Sequence, residues 1–144
     1  MIEQDTIRLL RECDAGVKMG IASIDDVIDY VASPKLKESL EKCKTKHQEL
    51  AHRIESLLDK YHDDGKDPNP MAKGMSWMKT NMMLIMNESD ATIADLMTEG
   101  CNMGVKSLNK YLNEYEAADE QAKTIAKDLT RIEDDLVKEI RCFL

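Results

Sequence analysis

Glu49 and His52 form the one Glu-x-x-His in this chain, which has three histidines in all, His47, His52 and His62. Three residues apart on a helix, a carboxylate and an imidazole share a face, and together they are a ligand pair suited to iron, manganese or zinc. A second donor set falls on apolar helical positions: Asp14, Cys43, His47 and Cys101. Cys43 and His47, four apart, also share a face. A carboxylate, an imidazole and two thiols can hold zinc in four-coordinate geometry. The same groups without metal make a buried Asp–His hydrogen bond in a core where cysteine serves as a small hydrophobe, and that reading is preferred.

The elements that must carry these residues follow from helical periodicity. Ile7, Leu10, Val17, Ile21, Ile24, Ile28 and Val31 recur in steps of three, four or seven, a first helix that should run to the Ser33-Pro34 cap-and-proline signal. Leu36, Leu40, Cys43, His47, Leu50, Ile54, Leu57 and Tyr61 define a second, ending at His62-Asp63-Asp64-Gly65. Placing His47 and Leu50 on the core stripe turns Glu49 and His52 outward, so their motif should face solvent. An antiparallel pairing of the two helices about Ser33 puts Asp14 and His47 about one turn apart in level, within reach of a direct or water-bridged contact.

The string Cys-x-x-Gly-Val-Lys occurs twice, at Cys13–Lys18 and Cys101–Lys106, which reads as a duplicated helical hairpin, about 3–62 and 89–143. Between the copies, Asn69-Pro70 opens a crossover helix, about 70–87, with a stripe of Met71, Met75, Met78, Met82 and Ile85 and Trp77 alongside. Its methionines offer soft thioethers for Cu(I), but as gap-fillers they are expected to pack against the bundle. A crossover lets the second and third main helices run the same way. Asn87-Glu88-Ser89-Asp90 caps the third main helix, and Asp119 is the expected cap of the fourth. No Gly or Pro lies between Leu112 and Ala122, so a single continuous helix is the alternative there.

Charged residues make up 33% of the 144 residues and aromatic ones 4%, which argues for an all-α class in one domain. A net charge of −8 repels polyanions, and the basic residues are interspersed with acids, so nucleic acid is excluded as a partner. No apolar run approaches membrane-spanning length, and the N-terminus lacks a secretory pattern, so a cytoplasmic protein is expected. The four cysteines are widely spaced, and reduced thiols are the default. A redox role for Cys13, Cys43 and Cys101 would require a lowered thiol pKa. Gly65 fails the calcium-loop test, because it sets Lys60 and Met71 at the two ligand ends. Phosphate loops, dinucleotide fingerprints and nucleophile elbows are absent, and Gly16 and Gly104 are read as points of close helix approach.

The hairpin duplication, the Asp-Pro-x-Pro crossover, Gly74-Met75-Ser76-Trp77-Met78-Lys79 and Gly100-Cys101-Asn102-Met103-Gly104 resemble a bacterial ferritin-like family akin to the ubiquinone-biosynthesis hydroxylase bundle. The resemblance implies an up-down bundle of four main helices plus a crossover helix. It also implies a metal ligand near Gly100–Gly104, where this chain has Glu99 while Gly104 occupies the ligand position. Two-metal bundles of this type use Glu-x-x-His on two helices. The second hairpin has none: its matching region holds Asp128, Glu133, Asp134 and Asp135 but no imidazole. The expectation is a non-catalytic bundle with a degenerate metal site, acting as a homo-oligomer or through a protein partner. The rival is a metal-binding or oxidase-like bundle holding Fe, Mn or Zn with Asp14, Cys43, His47, Glu49, His52 and Glu99 in a nonstandard set.

Overall fold

Four side chains start four of the five α-helices. Ser33 Oγ accepts from Leu36 N at 3.3 Å, Asn69 Oδ1 from Met71 N at 2.9 Å, Ser89 Oγ from Thr92 N at 3.2 Å, and Asp119 Oδ1 from Ala122 N at 2.8 Å. Each satisfies a first-turn N–H that has no partner within its helix. The computed structural model describes residues 2–144 and contains α1 (Ile2–Val27), α2 (Pro34–Asp59), α3 (Pro70–Met86), α4 (Asp90–Glu114) and α5 (Glu120–Ile140). The fold is all-α.

Two boundaries need correction or resolution. The first helix was expected to stay helical to Val31, but α1 stops at Val27 and tightens into a 3₁₀ turn over Ile28–Tyr30, leaving Val31 extended before the cap. The continuous-helix alternative does not hold: α4 closes at Glu114, and the Asp119 cap opens α5. That break is fastened by α1, whose Asp5 Oδ2 accepts from Ala117 N and whose Thr6 Oγ1 accepts from Asp119 N at 2.8 Å.

The helices within each hairpin pack antiparallel, while α1 and α5 run the same way, Thr6 meeting Asp119 and Gly16 facing Leu129. α1 pairs with α2 and α4 with α5, while Lys42–Glu139 and Arg53–Asp128 bridges run α2 and α5 in opposite directions. Asp90, in the first turn of α4, accepts from Ala32 N and Ser33 N, both at 2.9 Å, so α2 and α4 begin at the same end. The chain leaves α2 at the other end and climbs back along α1 on a loop pinned by Arg11–Asp63, Glu12–Lys66 and Lys18–Asp67. α3 completes the return, its 17 residues spanning about 25 Å.

The methionine stripe of α3 does not pack inward. Met71, Met75, Met78, Met82 and Ile85 are all more than 60% exposed. The helix touches the bundle through the opposite face, where Thr80 and Leu84 are buried.

Inside, the apolar residues divide into two clusters. One centres on Leu9, Leu10, Ile54, Ile125 and Leu129, the other on Ile24, Leu36, Leu40, Ile93, Leu136 and Ile140. Each fully buried side chain of this kind stabilises the fold by roughly 1.5–3 kcal/mol. His47 and Glu133 stand where the clusters divide, His47 between Cys43 and Leu50 and Glu133 between Leu129 and Leu136.

Candidate functional site

Ser33 and Asp119 cap corresponding helices of the two hairpins, and fourteen residues beyond each cap lie His47 and Glu133. Several buried positions also match: Leu36 with Ala122, Leu40 with Ala126, Leu50 with Leu136, Ile54 with Ile140. Equal offsets from the two caps thus go with an imidazole on α2 and a carboxyl on α5 at one level, facing each other across the core.

The imidazole is 2% exposed and the carboxylate residue 7%. His47 Nδ1 lies 2.8 Å from the Cys43 carbonyl oxygen, and because a carbonyl only accepts, Nδ1 carries the hydrogen. Cys43 Sγ sits 3.5 Å from the same nitrogen. Nε2 then points at Glu133 Oε1 across 3.9 Å, too far for a hydrogen bond but close enough for strong attraction between charges in a dry interior. His47 Nε2 and Glu133 Oε2 are both buried with no hydrogen-bond partner.

Two glycines make room for this pair. A Cβ on Gly20 of α1 would lie 2.6 Å from His47 Nε2, and one on Gly104 of α4 would run into the Glu133 carboxylate. Gly16 makes only ordinary contact with Leu129, so of the two glycines expected to permit close approach, Gly104 is the one that borders the polar layer.

Burial opposes charge on His47, but the Cys43 sulfur, the Glu133 carboxylate and the Cys43 carbonyl outweigh it and lift the imidazole to about 10. Burial raises the Glu133 carboxyl, His47 pulls it back, and Asp134 adds to the rise. The thiols move away from reactivity: burial, then Glu12 and Asp14, push Cys13 up to about 12, and burial with Glu133 nearby raises Cys101. A thiol held protonated is a poor nucleophile.

Of the residues singled out as metal ligands, Cys43 and His47 are together in the core, and the others lie elsewhere. Asp14 does not reach His47. Gly20, not Asp14, stands at the level of His47, and six residues of helix set Asp14 about 9 Å further along. Its carboxylate instead takes Lys18 Nζ at 2.9 Å and Lys66 N at 3.0 Å, holding the loop after α2. Glu49 and His52 are exposed, as the stripe requires. His52 borders an open groove of about 350 Å³ between α2 and α5, with Arg53, Ser56, Lys60 and Gln121. Glu99 is exposed and held at 2.7 Å by Lys79 of α3.

Sequence reasoning missed Glu133 as the partner of His47. The signal was present, since Glu133 falls four residues after Leu129 and three before Leu136 on the core stripe of α5. The donor chemistry does not fit a metal centre as it stands. His47 and Glu133 supply two facing atoms, and among the described residues no three His, Cys, Asp or Glu side chains gather as a metal-binding group. Structural zinc takes four ligands and catalytic zinc at least three from the protein. A cavity of about 10 Å³ beside Cys43 has room for one water at most.

The fold and site define a five-helix all-α bundle with a buried imidazole–carboxyl layer at mid-core. Compared with protein-family models, curated proteins and solved structures, the chain finds no match in any of the three. Among the described residues no helix is long and apolar enough to cross a membrane.

Proposed function

We propose that this chain is a ferritin-like helical bundle with a degenerate metal site and no catalytic chemistry of its own, acting by self-association or by binding another protein. The observation that carries the reading is the outer face of α3. Met71, Met75, Trp77, Met78, Met82, Ile85 and Met86 are each 55–86% exposed on one helix. Contiguous apolar surface of this kind marks an interaction site, and methionine side chains adapt to a facing surface. The ferritin-like part of the reading is supported by the common starting end of α2 and α4, the single crossover helix and the matched hairpins.

His47 and Glu133 fit the degenerate-site reading because they occupy a mid-core level facing inward from two helices, yet bring too few donors for a centre. Elemental analysis of untagged protein purified without added metal is expected to show iron, manganese and zinc well below one per chain. Near-stoichiometric metal that vanishes in a His47→Ala/Glu133→Ala variant would overturn the reading in favour of the metal-binding rival.

A further inference from the structure

We infer that α3 is a dimerisation helix, its outer seam pairing with the same seam of a second copy of this chain. The inference rests on the association reading above and names the partner.

The outer residues Met71, Met75, Met78, Met82 and Ile85 follow one another in steps of four, three, four and three. That 3.5-residue repeat is the a/d pattern by which a helix packs against another helix of the same pattern. The buried positions Thr80 and Leu84 fall on the opposite side of the repeat. α3 therefore has two packing faces, one used against its own bundle and one left for a partner.

Charge leaves this face open to a second copy where the rest of the surface does not. The chain carries −8, so two copies repel over most of their area. Among the described α-helices, α3 alone has no acidic residue, and its charges are Lys73 and Lys79. The positions flanking the seam are Ala72, Gly74, Lys79, Asn81 and Met86, and Lys79 is neutralised by Glu99 at 2.7 Å. No like-charge pair opposes the approach of one seam to another.

A lone helix pair makes a narrow interface, whereas a stable dimer buries roughly 800 Å² on each partner. Met86 widens the seam on α3. Met103, 64% exposed, extends the apolar surface onto α4, one helical turn beyond Glu99 on the same face.

The test is sedimentation velocity and light scattering of the full chain across a wide concentration range, beside Met78→Glu/Met82→Glu. Both replaced side chains are 62% exposed, so circular dichroism should be unchanged. Wild type is expected at twice the chain mass, with the variant's dimer dissociation constant raised roughly 100-fold or more. Cross-linking adds a readout that does not depend on the variant folding. In a Cys142→Ser background, which removes the exposed thiol, Met78→Cys should form dimers with a bismaleimide. A wild type that stays monomeric overturns the inference and self-association with it, leaving only the binding of a different protein. A dimer that survives the double variant, with no cross-link at position 78, overturns the seam but leaves self-association standing.

Discussion

At the scale of single residues, the His47–Glu133 layer makes the sharpest expectations. Removing one partner strands the other in the core, so His47→Ala or Glu133→Ala should each cost about 3–5 kcal/mol in urea unfolding. Replacing both by apolar side chains, His47→Leu/Glu133→Met, should cost less than either single change, because no charge is left behind. The pH dependence has a definite direction. His47 binds its proton more tightly folded than unfolded, so its contribution is whole below pH 6.5 and is lost as pH rises through about 10. Glu133 is shifted in the same sense, and its share fades earlier, above the ordinary carboxyl range. Wild-type stability should therefore decline from neutrality to pH 10, with a shallower decline in the apolar double variant. The glycines give an independent check. Gly104→Ala and Gly20→Ala push a methyl into Glu133 and His47 and should destabilise by about 1–3 kcal/mol. Gly100→Ala, with nothing within 4 Å of the new methyl, should stabilise by about 0.5–1 kcal/mol on the same assay.

Among the elements, the two hairpins are fastened by each other. The connection before α2 is held by Asp90 of α4, and the connection before α5 by Asp5 and Thr6 of α1. Each first helix thus supplies the acceptors that end the other hairpin's turn, and this places the start of α5 where no glycine or proline marks a break. Asp90→Ala removes acceptors from two backbone N–H groups at once and is expected to cost about 1–3 kcal/mol. Asp119→Ala removes one cap and should cost about 1 kcal/mol. Chemical denaturation that ranks the two the other way would show the cross-hairpin bonds to be dispensable. The loop after α2 is secured differently, by Asp14 and a left-handed Gly65 at φ 84° whose missing Cβ leaves room for the Asp14 carboxylate. That is the role of the acid that looked like a ligand for the core.

For the whole molecule, the distribution of charge against apolar surface decides how copies meet. A chain at −8 repels its own kind over distances that salt shortens to about 8 Å at physiological ionic strength. If association runs through the uncharged α3 seam, raising sodium chloride from low to physiological concentration should strengthen it, as sedimentation equilibrium would read. Weakening with salt would point instead to an interface built on ion pairs.

Much of this protein was determined by its sequence alone. Cap residues, two of them followed by proline, and stripes in steps of three and four specify the helical segments, because helix ends and buried faces are local or periodic demands, while the break between α4 and α5 stayed open to a continuous-helix alternative. The outward phase of Glu49 and His52 was legible for the same reason. Three matters waited for tertiary structure. The α3 stripe has the period of a packed face, but periodicity reports that a face is apolar, not whether the chain supplies something to cover it. Asp14 and His47 share a stripe logic but not a level, since level depends on how the hairpin closes, and the 3₁₀ turn after Val27 and the extended Val31 help set that closure. Glu133 becomes the partner of His47 only when α2 and α5 are laid antiparallel, a contact between residues far apart in the chain that local periodicity does not encode.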